Sequence, residues 1–264
     1  MGLRAVLFDL DDTLLWDARC VDEAFEAVCL HARERTGVDA KRLEEAVREE
    51  AKALYASYDV YPFTQMIGIN PFEGLWGRFR DGKPEFFRKL EALAPQYRKE
   101  AWTRGLKALG VDDADLGREL GEMFAAERRK RSIVFEETYE VLDALKGKFP
   151  LLLLTNGSPE LQREKIAAEP NLAPYFDHIV ISGEFGEGKP SAALFRHALG
   201  LLGIAPEEGI MVGDKLTTDI LGASRVGMPS VWVNREGKER TGDISPTYEI
   251  RNLRELPGIV EALR

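Results

Sequence analysis

The stretch Ala5-Val6-Leu7-Phe8-Asp9-Leu10-Asp11-Asp12-Thr13 decides how this chain is read. Four apolar residues without alternation are the mark of a strand buried on both faces, and here they run straight into a cluster of carboxylates. In a parallel α/β sheet a strand delivers its C-terminal end to the ligand crevice, so acids in that place point at a ligand. Crowded like charges favour a cation. A hard divalent ion such as Mg²⁺ takes oxygen ligands and keeps several waters while bridging to phosphate, which suits such a cluster. The same letters also fit a charged strand-to-helix loop whose Asp side chains make local turns, so the rest of the chain has to decide.

Working outward, four more apolar runs are each followed by turn residues and a helical pattern: Leu151 to Leu154, His178 to Ile181, Gly209 to Val212 and Ser230 to Val233. A weaker one is Tyr248 to Ile250. Ser158-Pro159 and Lys189-Pro190 announce helices, and Gly227 closes one beginning near Thr217 or Thr218. Strand alternating with helix predicts an α/β fold built on a doubly wound parallel sheet. From Trp16 to Ser132 helical spacing dominates instead. Val21, Phe25 and Val28 form one stripe, Leu43, Val47, Ala51 and Leu54 a second, and Leu116, Leu120 and Phe124 a third. The expected domains are an α/β core over residues 1–15 and 133–264 and a helical insert over 16–132. Within the insert, Tyr58 to Lys83 is rich in Gly, Pro and aromatics and reads as loops or short helices.

Further polar residues fall at the ends of the other strands. Leu154-Thr155-Asn156-Gly157-Ser158 offers a hydroxyl and backbone N–H groups leading into a helix, a natural phosphate cradle or an ordinary turn with an N-cap. Gly188-Lys189-Pro190 holds a lysine that the following proline pushes toward extended backbone. Such a lysine is solvated if alone, but beside carboxylates and a phosphate it balances both charges. Val212-Gly213-Asp214 places an acid at the end of an apolar strand, where it needs a partner to offset desolvation. Asp219, five residues on, fits either that site or the dipole of the next helix.

Taken in order, Asp9-x-Asp11-x-Thr13, Thr155, Lys189 in Gly-Lys-Pro, and Gly213-Asp214 followed by Asp219 resemble the four motifs of the haloacid dehalogenase-like superfamily. The match covers the core, and the insert is similar to that superfamily's C1 cap by position and helicity. The resemblance implies strand order 5-4-1-2-3, a Mg²⁺ cofactor and hydrolysis of a small phosphorylated metabolite: a nucleoside monophosphate, a sugar phosphate or phosphoserine. It implies Asp9 as nucleophile and metal ligand, Asp11 as general acid/base and ligand through its carbonyl, and Asp214 as the remaining carboxylate ligand. Thr155 and the Asn156 N–H would hold phosphoryl oxygens and Lys189 would neutralise charge. Thr13 and Asp219 would stand behind them, Asp219 orienting Lys189 or a metal-bound water. The residue types agree with these roles, because phosphoryl transfer is mostly positioning and charge neutralisation.

A dehalogenase is disfavoured, since its substrate needs no leaving-group proton and Asp11 is an acid. A phosphosugar mutase would keep the same motifs and differ in shielding the aspartyl-phosphate from water. A phospho-accepting signalling receiver carries its acceptor Asp at the third strand end, where this chain has Ile181-Ser182-Gly183.

The totals exclude other classes. At 44% hydrophobic and 31% charged, the composition is that of a globular chain able to bury a core. A net charge of -9 leaves no basic footprint for nucleic acid, and Arg128-Arg129-Lys130-Arg131 reads as the solvated end of a helix. No aliphatic run approaches the roughly 20 residues of a membrane span, and the first ten residues turn acidic too soon for a signal or transit peptide, so a cytoplasmic protein is expected. Cys20 and Cys29 fall on opposite faces of one expected helix, about 13 Å apart along its axis. That excludes a disulfide between them. The histidines, the aromatics Tyr55 to Phe63, and Arg78, Arg80 and Lys83 are read as packing or solvated residues.

Overall fold

The apolar runs become six strands in the computed structural model of the chain, which describes residues 2–81, 85–240 and 242–264. They are β1 (Ala5–Phe8), β2 (Leu151–Thr155), β3 (His178–Ile181), β4 (Gly209–Gly213), β5 (Ser230–Val233) and β6 (Tyr248–Ile250). All pair in parallel, in the order β3-β2-β1-β4-β5-β6. The implied order is therefore present, with the weaker run added at the β5 edge. Phe8, the last residue of β1, is in register with Leu153 on one side and Val212 on the other, so these three strands end within two residues of one another.

Successive side chains of a strand point to opposite faces, and the core divides accordingly. Val6, Phe8, Leu151, Leu153, Ile210 and Val212 join one cluster, closed by Val141, Leu142, Leu145 and Val260. Leu7, Leu152, Leu154 and Met211 join another, closed by Leu194, Phe195, Ala198 and Ala223. Helical residues on both faces leave every β1, β2 and β4 residue buried, which is why those runs show no alternation.

By internal contacts the chain forms two units: Met1–Trp16, Val134–Gly157 and Gln162–Arg264 make one, and Asp17–Ile133 with Ser158–Leu161 the other. The second is helical, built on Asp17–Thr36, Ala40–Ala56, Glu85–Ala108 and Ala114–Arg129. Its three sequence stripes are all buried, and Phe25 packs between Trp102 and Phe124 at ring separations of 5.8 and 4.4 Å. Cys20 and Cys29 are buried free thiols on its first helix.

Four features of this unit differ from the expectations of sequence or extend them. The helix Glu85–Ala108 runs through Pro95, a residue that argues against a continuous helix when read locally. The region from Tyr58 folds into the short helices Tyr61–Ile67 and Pro71–Gly74, while Lys83 lies outside the described residues. The basic run is not a solvated helix end: Arg128 is buried in an ion pair with Asp17, and Arg129 donates to the Trp76 carbonyl. Its register places Arg128 on the buried side, where desolvation demands a partner acid. Arg80 is exposed but ion-paired, with its backbone N–H and Nε both donating to Glu160. Among the described residues no helix is long and apolar enough to cross a membrane.

Candidate active site

Because the three central strands end within two residues of one another, the residues at and just beyond their ends converge. Asp9 continues the β1 ladder, its N–H donating 2.9 Å to the Val212 carbonyl. Thr155 is the last residue of β2 and Asp214 follows β4 directly. The chain then turns sharply after Asp9. Asp12 takes a left-handed φ of 59°, alone among the described non-glycine residues, and its N–H donates 2.6 Å to Leu15 O. Aspartate tolerates that conformation better than most side chains.

Lys189 binds the acids together. Its Nζ lies 2.6 Å from Asp9 Oδ1 and 2.7 Å from Asp219 Oδ1, with all three side chains buried. Thr13, fully buried, donates 3.4 Å to Asp9 Oδ2. The Lys189 backbone is held by the Asn156 side chain, whose Oδ1 accepts from Lys189 N at 2.8 Å and whose Nδ2 donates to Lys189 O at 3.0 Å. Strand-end position points to the Asn156 backbone N–H alone and carries no sign of this side-chain clamp. The helix expected from Lys189-Pro190 begins at Ala192, and Lys189 lies in the turn before it, closed by the Ser191 N–H donating 2.9 Å to Gly188 O.

Asp219 returns to the strand end through a wide π-type turn, Leu216–Ile220, preceding the helix Leu221–Val226. Its Oδ2 accepts from the Lys215 N–H at 3.1 Å. Asp9, Asp214 and Asp219 each bring a carboxylate oxygen within 4.8 Å of the others. Ligands on opposite sides of one Mg²⁺ are about 4.2 Å apart, given bonds of about 2.1 Å.

Electrostatics make the cluster's need explicit. Burial raises the Asp9 carboxyl to about 6 despite the opposing pull of Lys189. Asp214 is pushed well above the usual carboxylate range, first by burial and then by Asp9, Asp219 and Asp12. Burial works against the Lys189 charge, but Asp219 and Asp9 outweigh it and hold the ammonium above its ordinary value. One lysine serves three acids, so a divalent cation fits the hard oxygen donors that remain.

Asp11 and Thr155 are joined through a residue the sequence reading passed over. The Gln162 amide nitrogen donates 2.9 Å to Asp11 Oδ2 and 2.6 Å to Thr155 Oγ1. Lys165 Nζ donates 2.9 Å to Asp11 Oδ1. A signal for both was present. On the helix Pro159–Ala167, positions 158, 161, 162, 165 and 166 form one stripe at helical spacing, where apolar residues are expected. All five are buried, yet Ser158, Gln162 and Lys165 are polar. Thus Asp9, Thr13, Lys189, Asp214 and Asp219 form one group, Asp11 and Thr155 a second, and Asn156 braces the lysine.

Comparison with known proteins agrees with this geometry. A family model described as haloacid dehalogenase-like hydrolase matches residues 3–227. The chain is 36% identical over 254 residues to a phosphoserine phosphatase of Thermus thermophilus, covering 96% of this chain and 98% of that protein. It is 30% identical over 270 residues to the mouse N-acylneuraminate-9-phosphatase, covering 100% and 97%. Among solved structures, the HAD-hydrolase YfnB of Bacillus subtilis bound to magnesium aligns over 99% of this chain and 100% of its own at 25% identity and a TM-score of 0.64. This chain belongs to the haloacid dehalogenase-like hydrolases.

Proposed function

We propose that this hydrolase is a Mg²⁺-dependent phosphatase that cleaves a small phosphate monoester by way of a phosphorylated Asp9. The observation that carries the reading is the buried Asp9 carboxylate with Lys189 at 2.6 Å, in a group of acids suited to one divalent ion. Relatives named for a phosphoserine and an N-acylneuraminate 9-phosphate substrate support the small metabolite class.

Asp9 and Asp214 would hold the Mg²⁺ with the Asp11 carbonyl. Bound there, the ion would neutralise phosphoryl charge and orient the group for in-line attack. An Asp9 carboxylate oxygen forms a bond to phosphorus as the ester P–O bond breaks, and Asp11 gives its proton to the departing oxygen. Asp11, now a base, takes a proton from water as that water attacks phosphorus, which releases phosphate and restores Asp9. Thr155 and the Asn156 N–H would hold phosphoryl oxygens, with Lys189 balancing their charge, Asp219 fixing Lys189 and Thr13 fixing Asp9. In this reading residues 16–132 act as the cap that selects the leaving group.

The test is hydrolysis of a panel of phosphate monoesters, including phosphoserine, sugar phosphates and nucleoside monophosphates, with Mg²⁺ and with chelator. Release of phosphate from at least one member, dependent on Mg²⁺ and lost in Asp9→Asn, is the expected result. Turnover unaffected by either change would refute it.

A further inference from the structure

We propose that Gln162 and Lys165 are positioning residues for the reaction: they fix the Asp11 carboxylate in place, and Gln162 ties it to Thr155. The inference rests on the acid/base reading of Asp11 given above. The two side chains, three apart on one helix, approach Asp11 together, Gln162 at Oδ2 and Lys165 at Oδ1, both 2.9 Å away. Both Asp11 oxygens are therefore addressed, which removes freedom about χ2 that one contact would leave.

Simple neutralisation of a buried acid does not account for this arrangement. The Asp11 side chain is 23% exposed and has access to water, whereas that of Lys165 is 2% exposed. The lysine is the group carried out of water to meet the acid. Gln162 is also unlike a packing residue. Its Nε2 donates to Asp11 and Thr155, while its Oε1 is buried with no hydrogen-bond partner among the described residues. Flipping the amide would turn that oxygen on the carboxylate, so the orientation is set by the two acceptors at the expense of its own carbonyl.

The backbone makes room for it. Gly157 has φ 141°, and a Cβ there would lie 2.8 Å from Gln162 Cγ and 2.9 Å from Cδ. A residue with a side chain at 157 would push Gln162 from its bridge. The glycine after Thr155-Asn156 thus serves the same link between Asp11 and Thr155.

If the pair positions Asp11, its loss should matter most where the leaving oxygen needs a proton, as in an alkyl phosphate, and least for 4-nitrophenyl phosphate. The experiment measures kcat/KM, which reports transfer to Asp9 with departure of the leaving group and not the later water attack common to both esters, for glycerol phosphate and 4-nitrophenyl phosphate, or for another alkyl monoester that the wild type turns over faster. The proteins are wild type, Lys165→Met, Gln162→Met, Asp11→Asn and the double variant Asp11→Asn/Lys165→Met; methionine keeps the length of both side chains, and either single variant alone suffices. Lys165→Met and Gln162→Met should lose about 10-fold more with the alkyl than the aryl ester, and adding Lys165→Met to Asp11→Asn should change the remaining turnover little. Equal losses on both substrates, or an undiminished loss in the Asp11→Asn background, would overturn the positioning role while the selective defect of Asp11→Asn stands. An unselective Asp11→Asn would overturn the acid/base reading and this inference with it.

Discussion

A Cβ placed on Gly213 would lie 2.4 Å from both Cγ and Oδ2 of Asp219. The glycine ending β4 is therefore the space in which the Asp219 carboxylate meets Lys189, and the motif Gly-Asp followed by a later Asp has a steric reason. Gly213→Ala should displace Asp219 and lower kcat by about 100-fold, the scale of a displacement near 1 Å in a positioned site. Gly200, in the helix Ala192–Leu202, has nothing within 4 Å of a built Cβ. Gly200→Ala should leave kcat unchanged and add up to about 1 kcal/mol of stability. Aryl phosphate kinetics and thermal unfolding of both variants check the contrast.

Asp9 and Asp11 differ in what replacement removes. Asp9→Asn takes away the proposed nucleophile and proposed metal ligand together, so no phosphorylated protein should form. Asp11→Asn keeps both and loses the proposed proton donor and base, so an activated aryl phosphate should still phosphorylate Asp9 while water attack slows by about 10²- to 10⁴-fold. Mass spectrometry after rapid acid quench should find a phosphoryl group on the peptide containing Asp9 in Asp11→Asn and none in Asp9→Asn. Label in Asp9→Asn, or on a distant residue, would sink the mechanism.

The metal-free site should be sensitive to pH. Burial raises the Asp9 carboxyl from 3.8 to about 6, so its protonated form is favoured in the folded chain. A carboxyl raised on folding contributes stability fully below about pH 4, and that contribution fades as pH rises through about 6. At the proposed site Mg²⁺ would bind the ionised form. Adding it should raise Tm clearly at about pH 7.5 and much less at about pH 5, with apparent affinity falling as pH drops through about 6. A Tm increment independent of pH would count against Asp9 as a ligand.

In the helical unit, Arg128 and Asp17 are a buried ion pair with side chains 5% and 10% exposed. Removing one partner takes away the opposite charge from a group already out of water, so Arg128→Met or Asp17→Ala should cost about 3–5 kcal/mol. The double variant should cost less than the sum of the singles, measured by equilibrium unfolding followed with the nearby Trp76. Additive losses would show that the pair does not interact.

What the sequence by itself determined is what depends on backbone periodicity. Uninterrupted apolar runs named the strands, three- and four-residue spacing named the stripes of Val21, Leu43 and Leu116, strand ends located Asp9, Thr155 and Asp214, and the Gly-Lys-Pro turn located Lys189. Those signals are local, because the strand and helix repeats are properties of neighbouring residues. Pro95 shows the limit: locally it argues for a break, yet packing of Leu90, Ala94, Tyr97 and Ala101 carries the helix through it. The pairing of Gln162 and Lys165 with Asp11, across 151 and 154 residues, was decided by tertiary structure alone. So were the Asn156 clamp on Lys189 and the burial of Arg128 against Asp17. Which charge answers a buried charge depends on which elements the fold brings to one place, and residue spacing along the chain carries no record of that distance.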